Sequence, residues 1–598
     1  MTTRHDFALE ALVDFPDDAL YSPVPITAAH IDAMMRRLAE CGVRRVSWAG
    51  YADGHGGFLT PDHDPQWRNL AQTYQVLGQN TTAVAVEAAH RHGLEVYAYF
   101  KPYETGPAAV FPEGSYEGMV YGRLTVIGGR MTWIDPFVAD HPHLRIKRSS
   151  EIPHCVRNDS EVVRNESEEF RIDNAPICSL KLRKRDDLPT RLTTPPRTPD
   201  KSVGPTLAED SSGGIDRSSH LQIWVSDLNY QYRRLDVPFT TAESIEPCPR
   251  DVYDLFSDSL LVAKGEPQRV ITLSGFEITD RYVLVTTDFT EGPADFDNTD
   301  LGMLSAFDSN GQEIVGVIAS GTDIWFADMV DFRNWGLGFD TGYNGQLMCL
   351  DEPNTSGKKG FVAFARGRND YLPGALCETE PEVQAFWLRC IDGLLDAGVD
   401  GIDFREENHS THTNHPEEYG FNEVVLEKCR ERGQVDLPTI AAVRGDAYTE
   451  FLAKAKKQIN ARGKSMRINF QIDWYRPNPA RCRKLAYPMN LDFQWQRWIE
   501  EGLTDEAVLR FYELPFDCVF DDEVAQEMIE RCRQKNIPVT VNRYIRPDTL
   551  EDEYRCVVQD GRFAGFILYE TCSFMKFTAD GGCNVTVPEV EALKETIV

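Results

Sequence analysis

Asp396-Ala-Gly-Val-Asp-Gly-Ile-Asp-Phe-Arg-Glu-Glu-Asn-His409 holds one repeat of the fold in fourteen residues. Apolar residues at helical spacing from Val383 to Leu395 run into it. The strand Gly401-Ile-Asp-Phe404 follows, and polar residues crowd its C-terminal end. Read as extended chain through Glu407, period two sets Asp403, Arg405 and Glu407 on one face.

The same unit recurs outward in both directions. Ile31 to Cys41 is apolar at helical spacing, Gly42 stops it, and Val43 to Trp48 reads as a strand. Ala83 to His92, Gly93 and Leu94 to Phe100 repeat it. Downstream, strands are expected at Phe361–Ala365, Gly401–Phe404, Met466–Phe470, Ala507–Phe511, Pro538–Val541 and Ala564–Leu568. Helical patterns lie between them at Val424–Arg432, Tyr448–Asn460, Val524–Gln534 and Leu550–Val558. Two strands before a long interruption and six after it make eight, which an α/β fold of the closed (β/α)8 TIM-barrel type requires. Tyr51-Ala-Asp-Gly-His-Gly-Gly57 lacks the GxGxxG spacing of an open dinucleotide-binding sheet.

The interruption begins after the second of these strands. Residues 149–220 are polar, charged and proline-containing, and read as a linker. Residues 221–358 hold short strands, with a hairpin turn at Asp308-Ser-Asn-Gly311, and read as an inserted antiparallel β-sandwich. The barrel is thus expected in two parts, 1–148 and 359–598.

A chain of 598 residues with 42% hydrophobic and 11% aromatic content can bury a large core. Its net charge of −32 disfavours nucleic acid and anionic membrane surfaces as partners. The N-terminal stretch shows no signal-peptide pattern and no apolar run reaches transmembrane length, so a cytoplasmic location is expected. The 14 cysteines form no CxxC pair and read as reduced thiols.

A barrel of this type places its chemistry after the C-terminal ends of its strands. Trp48, Tyr51, Asp53 and His55 end the first expected strand, and Lys101, Tyr103 and Glu104 the second. Arg366, Arg368 and Asn369 end the third. Arg405, Asn408 and His409 join Asp403 and Glu407 on the fourth, and Asn469, Gln471, Asp473 and Trp474 end the fifth. Arg510, Tyr512 and Glu513, then Asn542, Arg543 and Tyr544, then Tyr569 and Glu570 complete the rim. Aromatic rings stack on the C–H face of a sugar, and amides, carboxylates and guanidiniums bind its hydroxyls. Trp48, Tyr103, Trp474 and Tyr544 are the stacking candidates, and Arg366, Arg368 and Arg543 the candidates for an acidic sugar.

Glycosidic cleavage needs two carboxyl groups. Glu407 is the candidate acid, with Arg405 holding Asp403 ionised beside it. Its partner is Glu570, where a charge directly follows the buried strand Ile567-Leu-Tyr569, or else Glu513 or Asp473. His409, His412 and His415 are spaced at three, as on a metal-binding turn, but Pro416 and the polar residues around them favour a loop. No metal or other cofactor is expected. The rival readings are a barrel that binds carbohydrate without cleaving it, and a metal-dependent sugar isomerase or hydrolase using His409 and His412.

The segment from Asp396 to Asn422, with Ile134–Pro142, Phe361–Gly367 and Trp495–Leu503, resembles the glycosyl-hydrolase-like TIM-barrel proteins described as family-10 glycosylhydrolase-like. The likeness covers about residues 25–145 and 360–575 and implies glycoside hydrolysis. Asp400-Gly-Ile-Asp403 with Glu407 is also similar to the chitinase strand motif DxxDxDxE, which would give Glu407 the acid role. Arg405 stands where that motif has its third acidic residue.

Overall fold

The computed structural model describes residues 7–20, 22–50, 72–78, 80–103, 137–138, 141–149, 174–185, 221–227, 233–249, 251–253, 260–287, 303–314, 317–320, 361–366, 371–406, 416–475, 490–510 and 518–596. Eight parallel strands close into a barrel: β1 (Ala8–Asp14), β2 (Val43–Ala49), β3 (Glu95–Phe100), β4 (Gly401–Arg405), β5 (Ser465–Gln471), β6 (Glu506–Arg510), β7 (Val539–Tyr544) and β8 (Gly565–Tyr569). Parallel pairing of β1 with both β2 and β8 completes the ring.

The expected total of eight strands stands, but one member is exchanged. Ala8–Asp14 is the first barrel strand, whereas Phe361–Ala365 pairs antiparallel with Tyr282–Thr287 and Val317–Ser320 in another sheet. The interruption therefore follows the third barrel strand, not the second. Ala8–Asp14 escapes a pattern reading because its inward positions include Glu10 and Asp14, so its Ala, Leu and Glu content looks helical. Phe361-Val-Ala-Phe-Ala365 is apolar on both faces, as a barrel strand should be.

Helices cover the outside of the ring: α1 (Phe15–Leu20), α2 (Ala28–Glu40), α3 (Thr81–Arg91), α4 (Pro381–Asp396), α5 (Glu423–Glu431), α6 (Leu437–Ala461), α7 (Trp495–Glu500), α8 (Glu523–Lys535), α9 (Leu550–Asp560) and α10 (Pro588–Thr596). Their apolar faces meet the outward residues of the strands in one buried cluster; α2 contributes Ile31, Met34, Met35 and Leu38. Each such side chain contributes roughly 1.5–3 kcal/mol when fully buried. Gly42, at φ 86°, makes the left-handed turn from α2 into β2.

Between β3 and β4 lie two five-stranded sheets. Ile177, Leu180 and Leu182 of one and Ile223, Val225 and Val283 of the other share a buried apolar cluster. Ile177–Arg185, within the expected linker, is a central strand there, between Pro267–Ile278 and Met303–Phe307. The Asp308 turn closes its hairpin, with the Asp308 carboxylate accepting from the Asn310 and Gln312 amides.

Candidate active site

Alternation along the strands divides the barrel residues into an outer set and an inner set. In β4, Phe404 packs outward against Phe100 and Phe451, while Asp403 and Arg405 belong to the interior. Gly401 completes the inner face, where a Cβ would come within 2.6 Å of the Tyr97 ring.

The N-terminal half of the interior is filled by charge. Arg467 donates to Asp403 Oδ2 at 2.8 Å, Glu10 Oε2 at 2.7 Å, Glu506 Oε1 at 3.3 Å and the Ser47 hydroxyl at 2.6 Å. Arg45 reaches Glu10 and Glu506 at 3.1 and 2.8 Å. Burial pushes the carboxyls of Asp403 and Glu10 up, and Arg467 opposes it. Asp403 is therefore a member of a bonded cluster at the base, held by Arg467 rather than by Arg405. It is fully buried there. Leu12, Tyr99, Val508, Ile567 and Tyr569 form an apolar filling inside the ring.

Toward the C-terminal ends the inner residues are polar again, but their bonding differs. Lys101 donates to Asp14 at 3.1 Å, both buried. Arg510 lies 4.7 Å from the Tyr569 ring centre and donates to its hydroxyl at 3.0 Å; Tyr544 meets the same ring edge-on at 4.4 Å. Arg405 stands 6.0 Å from the Tyr99 ring centre. Asn469, 1% exposed, has no partner for either amide atom among the described residues. The Asn542 nitrogen and the Tyr99 hydroxyl are likewise buried and unbonded. A buried amide without a partner is rare and needs an explanation; a bound polar ligand or ordered water supplies one. Gln471 is buried at the end of β5.

Four expected rim residues sit elsewhere. Trp48 faces outward and stacks on Phe15 at 4.7 Å, because it shares its strand face with Val46. Tyr103 is wholly buried among Trp387 and Tyr448, its hydroxyl 3.1 Å from Glu378, which Arg444 holds at 2.7 Å. Arg543 alternates outward between Asn542 and Tyr544 and donates to Glu553 of α9 at 3.2 Å. Arg366 donates to the carbonyls of Ala175, Ile278 and Asp280 in the inserted sheets. These positions set the Trp48 and Tyr103 rings and the Arg366 and Arg543 guanidiniums in packed or bonded contacts away from the inner face of the ring. Asp473 and Trp474 lie on a 3-10 turn, Ile472–Tyr475, directly after β5. Tyr51, Asp53, His55, Glu104, Arg368, Asn369, Glu407, Asn408, His409, His412, His415, Tyr512 and Glu513 lie outside the described residues.

Three carboxyl groups near the strand ends escape a reading of the sequence alone. Asp14 closes the unrecognised first strand. Asp18 of α1 is buried, accepts the Thr571 hydroxyl at 2.6 Å, and is pushed up to about 7, mainly by burial. Glu406 is fully buried beside the Tyr475 hydroxyl, which donates to it, and burial holds its carboxyl well above the usual range. Its signal was present but ambiguous: of the adjacent pair Glu406-Glu407, strand alternation favours the second for the interior. Glu570 is half-buried at the end of β8, and its charge acts on the Tyr569 phenol together with Arg405 and Arg510. Among the described residues, no group of three or more His, Cys, Asp or Glu could hold a metal ion, and no helix is long and apolar enough to cross a membrane.

No family model matches the chain, and no curated protein matches it. The family-10-like resemblance thus stands on its motif residues alone. Among solved structures, the chain is similar to the glycoside hydrolase domain of PelA from Pseudomonas aeruginosa, with 15% identity over 33% of this chain and 64% of that one, at TM-score 0.20. It is similar to Aspergillus fumigatus Ega3 in complex with galactosamine, with 13% identity over 33% and 61%, at TM-score 0.19. A curdlan-specific exo-beta-1,3-glucanase of GH128 subgroup III from Blastomyces gilchristii matches with 10% identity over 35% and 77%, at TM-score 0.21. The chain covers less than two thirds of the PelA and Ega3 chains, and each likeness takes in about a third of this one.

Proposed function

We propose that this barrel is a glycoside hydrolase that cleaves an oligosaccharide with two carboxyl groups, Glu407 as acid and Glu570 as its partner. The observation that carries the reading is Asn469, whose buried amide has neither a donor nor an acceptor satisfied among the described residues, beside the unpartnered Asn542 nitrogen and Tyr99 hydroxyl. A sugar hydroxyl donates and accepts at once, so it complements an amide that offers both. The Tyr544 and Tyr569 rings and the Arg405 and Arg510 guanidiniums complete a lining suited to a polyhydroxylated ring.

In the proposed step the acid protonates the glycosidic oxygen as the anomeric C–O bond breaks. The ionised partner either attacks the anomeric carbon or takes a proton from the attacking water. Glu407 follows Arg405 by two residues, which in extended chain continues the inner face of β4. Arg405 and Arg510 stand near the Tyr569 phenol, which directly precedes Glu570 in the chain.

The test is sugar release from a panel of nitrophenyl glycosides and mixed oligosaccharides by wild type, Glu407→Gln and Glu570→Gln. Loss of about 10²–10⁴-fold in kcat with retained ligand affinity is expected of each. Full activity in Glu407→Gln removes that residue from the mechanism. Sugar binding without release by the wild type supports the binding-only barrel instead.

A further inference from the structure

The turn after β8 departs from the extended backbone that precedes it. Glu570 has φ 59° and ψ 98°. Among the described residues the other non-glycine positions with positive φ are Asn490 and Asn536, and asparagine tolerates that region better than glutamate. A strained residue persists only where its surroundings over-determine it.

Those surroundings are specific. The Glu570 carbonyl accepts from the Ser573 amide at 3.0 Å and the Ser573 hydroxyl at 2.7 Å. Thr571, fully buried, takes the Phe574 amide on its carbonyl at 3.0 Å and gives its hydroxyl to Asp18 at 2.6 Å. Phe566 and Leu568 of β8 face the helices, so an extended chain would carry Glu570 to that side as well. The left-handed turn interrupts that alternation directly after Tyr569, whose ring belongs to the filling inside the barrel.

We propose that Asp18, acting through Thr571, is a positioning residue that holds Glu570 in this turn and so presents its carboxyl group to the barrel mouth. The proposal rests on the reading of Glu570 as the partner carboxylate. The groups facing Asp18 are Thr571, Asp14 from β1, Lys576 from the strand Met575–Phe577, and Cys583 from the strand beside it. Burial and Asp14 favour its neutral form, Thr571 and Lys576 its charged form, so the bond to Thr571 is charge-assisted above about pH 7 and neutral below it.

The experiment compares Thr571→Val and Thr571→Ser in the full chain. Thr571→Val should lower kcat at least about tenfold with KM within about twofold, the signature of a lost transition-state interaction. Thr571→Ser should restore it. A parallel cycle needs no substrate: Glu570→Gly, relieving the strain, should raise Tm by about 2 °C in the wild type and not in Thr571→Val. Unchanged kcat in Thr571→Val while Glu570→Gln is inactive overturns the positioning and leaves the hydrolase reading intact. An active Glu570→Gln overturns the reading of Glu570 itself. If no glycoside is cleaved, equal Tm gains in both backgrounds overturn the positioning.

Discussion

Replacing Asn469 by leucine should make the protein more stable and less able to bind. The side chain is 1% exposed, and both its amide atoms lack partners among the described residues. Each unsatisfied buried group costs roughly 1–3 kcal/mol, and ordered water recovers part of that. Leucine is close in size and removes both groups, so a net gain of about 1–2 kcal/mol follows, or about 2–4 °C in Tm for a barrel-sized unit. Sugar affinity should fall at least about tenfold, as when a site built for hydroxyls loses a donor and an acceptor. Differential scanning fluorimetry and calorimetric titration with the oligosaccharides identified as substrates measure the two quantities on one preparation. A Tm that drops by more than about 2 °C would mean that the amide holds the fold together. Undiminished affinity would mean that it touches no ligand.

Arg467→Met is the opposite case, because four bonds converge on that guanidinium. Leaving Glu10, Asp403 and Glu506 with Arg45 should cost about 3–5 kcal/mol in urea unfolding. The loss should be larger at pH 8 than at pH 5, since carboxyls raised in the fold bind protons that the unfolded chain releases; a change below about 1 kcal/mol contradicts this. Asp18 is also raised, to about 7 from 3.8, so its contribution is present in full below about pH 4 and declines as pH rises through 7. Asp18→Asn should flatten Tm between pH 5 and 8 and exceed wild type at pH 8; an unaltered pH slope in the variant counts against a buried proton there. Arg543→Met, outside the ring, should lower Tm and spare sugar affinity, while Arg510→Met should weaken affinity at least about tenfold; swapped outcomes would invert the assignment of inner and outer faces.

The ring itself was legible because seven of its eight strands follow a helix ended by a turn residue and carry an apolar outer face. What was not legible has a common cause. Side-chain direction on a strand depends on register, and Trp48, Tyr103 and Arg543 look the same in sequence whether they face a substrate or a helix. Arg543 finds Glu553 ten residues later, a pairing visible only once α9 is laid on β7. Ala8–Asp14 was hidden because its inward charge is neutralised by Arg467, 457 residues away in sequence. Asn469, Gln471, Asn542, Arg405 and Arg510 could be read correctly as inward, since each lies two residues beyond another inner position on its own strand.

The two polar levels of the interior explain why a reader of composition alone would misplace the chemistry. Both are rich in charged and amide groups, and the lower one holds the more conspicuous cluster, with three carboxyls and two guanidiniums. Yet in the lower level Arg467 ties its neighbours together, leaving Asp403 Oδ1 unpaired among the described residues, and a ligand would have to break bonds of 2.6–2.8 Å to enter. In the upper level the amides of Asn469 and Asn542 have bonds left to form. Leu12, Tyr99, Val508 and Ile567 lie within the ring as apolar filling, and such filling limits the exchange of water or protons along the axis. Burial alone therefore does not mark the site; within the ring, amides with bonds left to form lie toward the strand ends, where barrel geometry places the βα loops. Glu570 adds the second mark, a backbone held in a strained state by Asp18 and Thr571, in the same level of the same barrel.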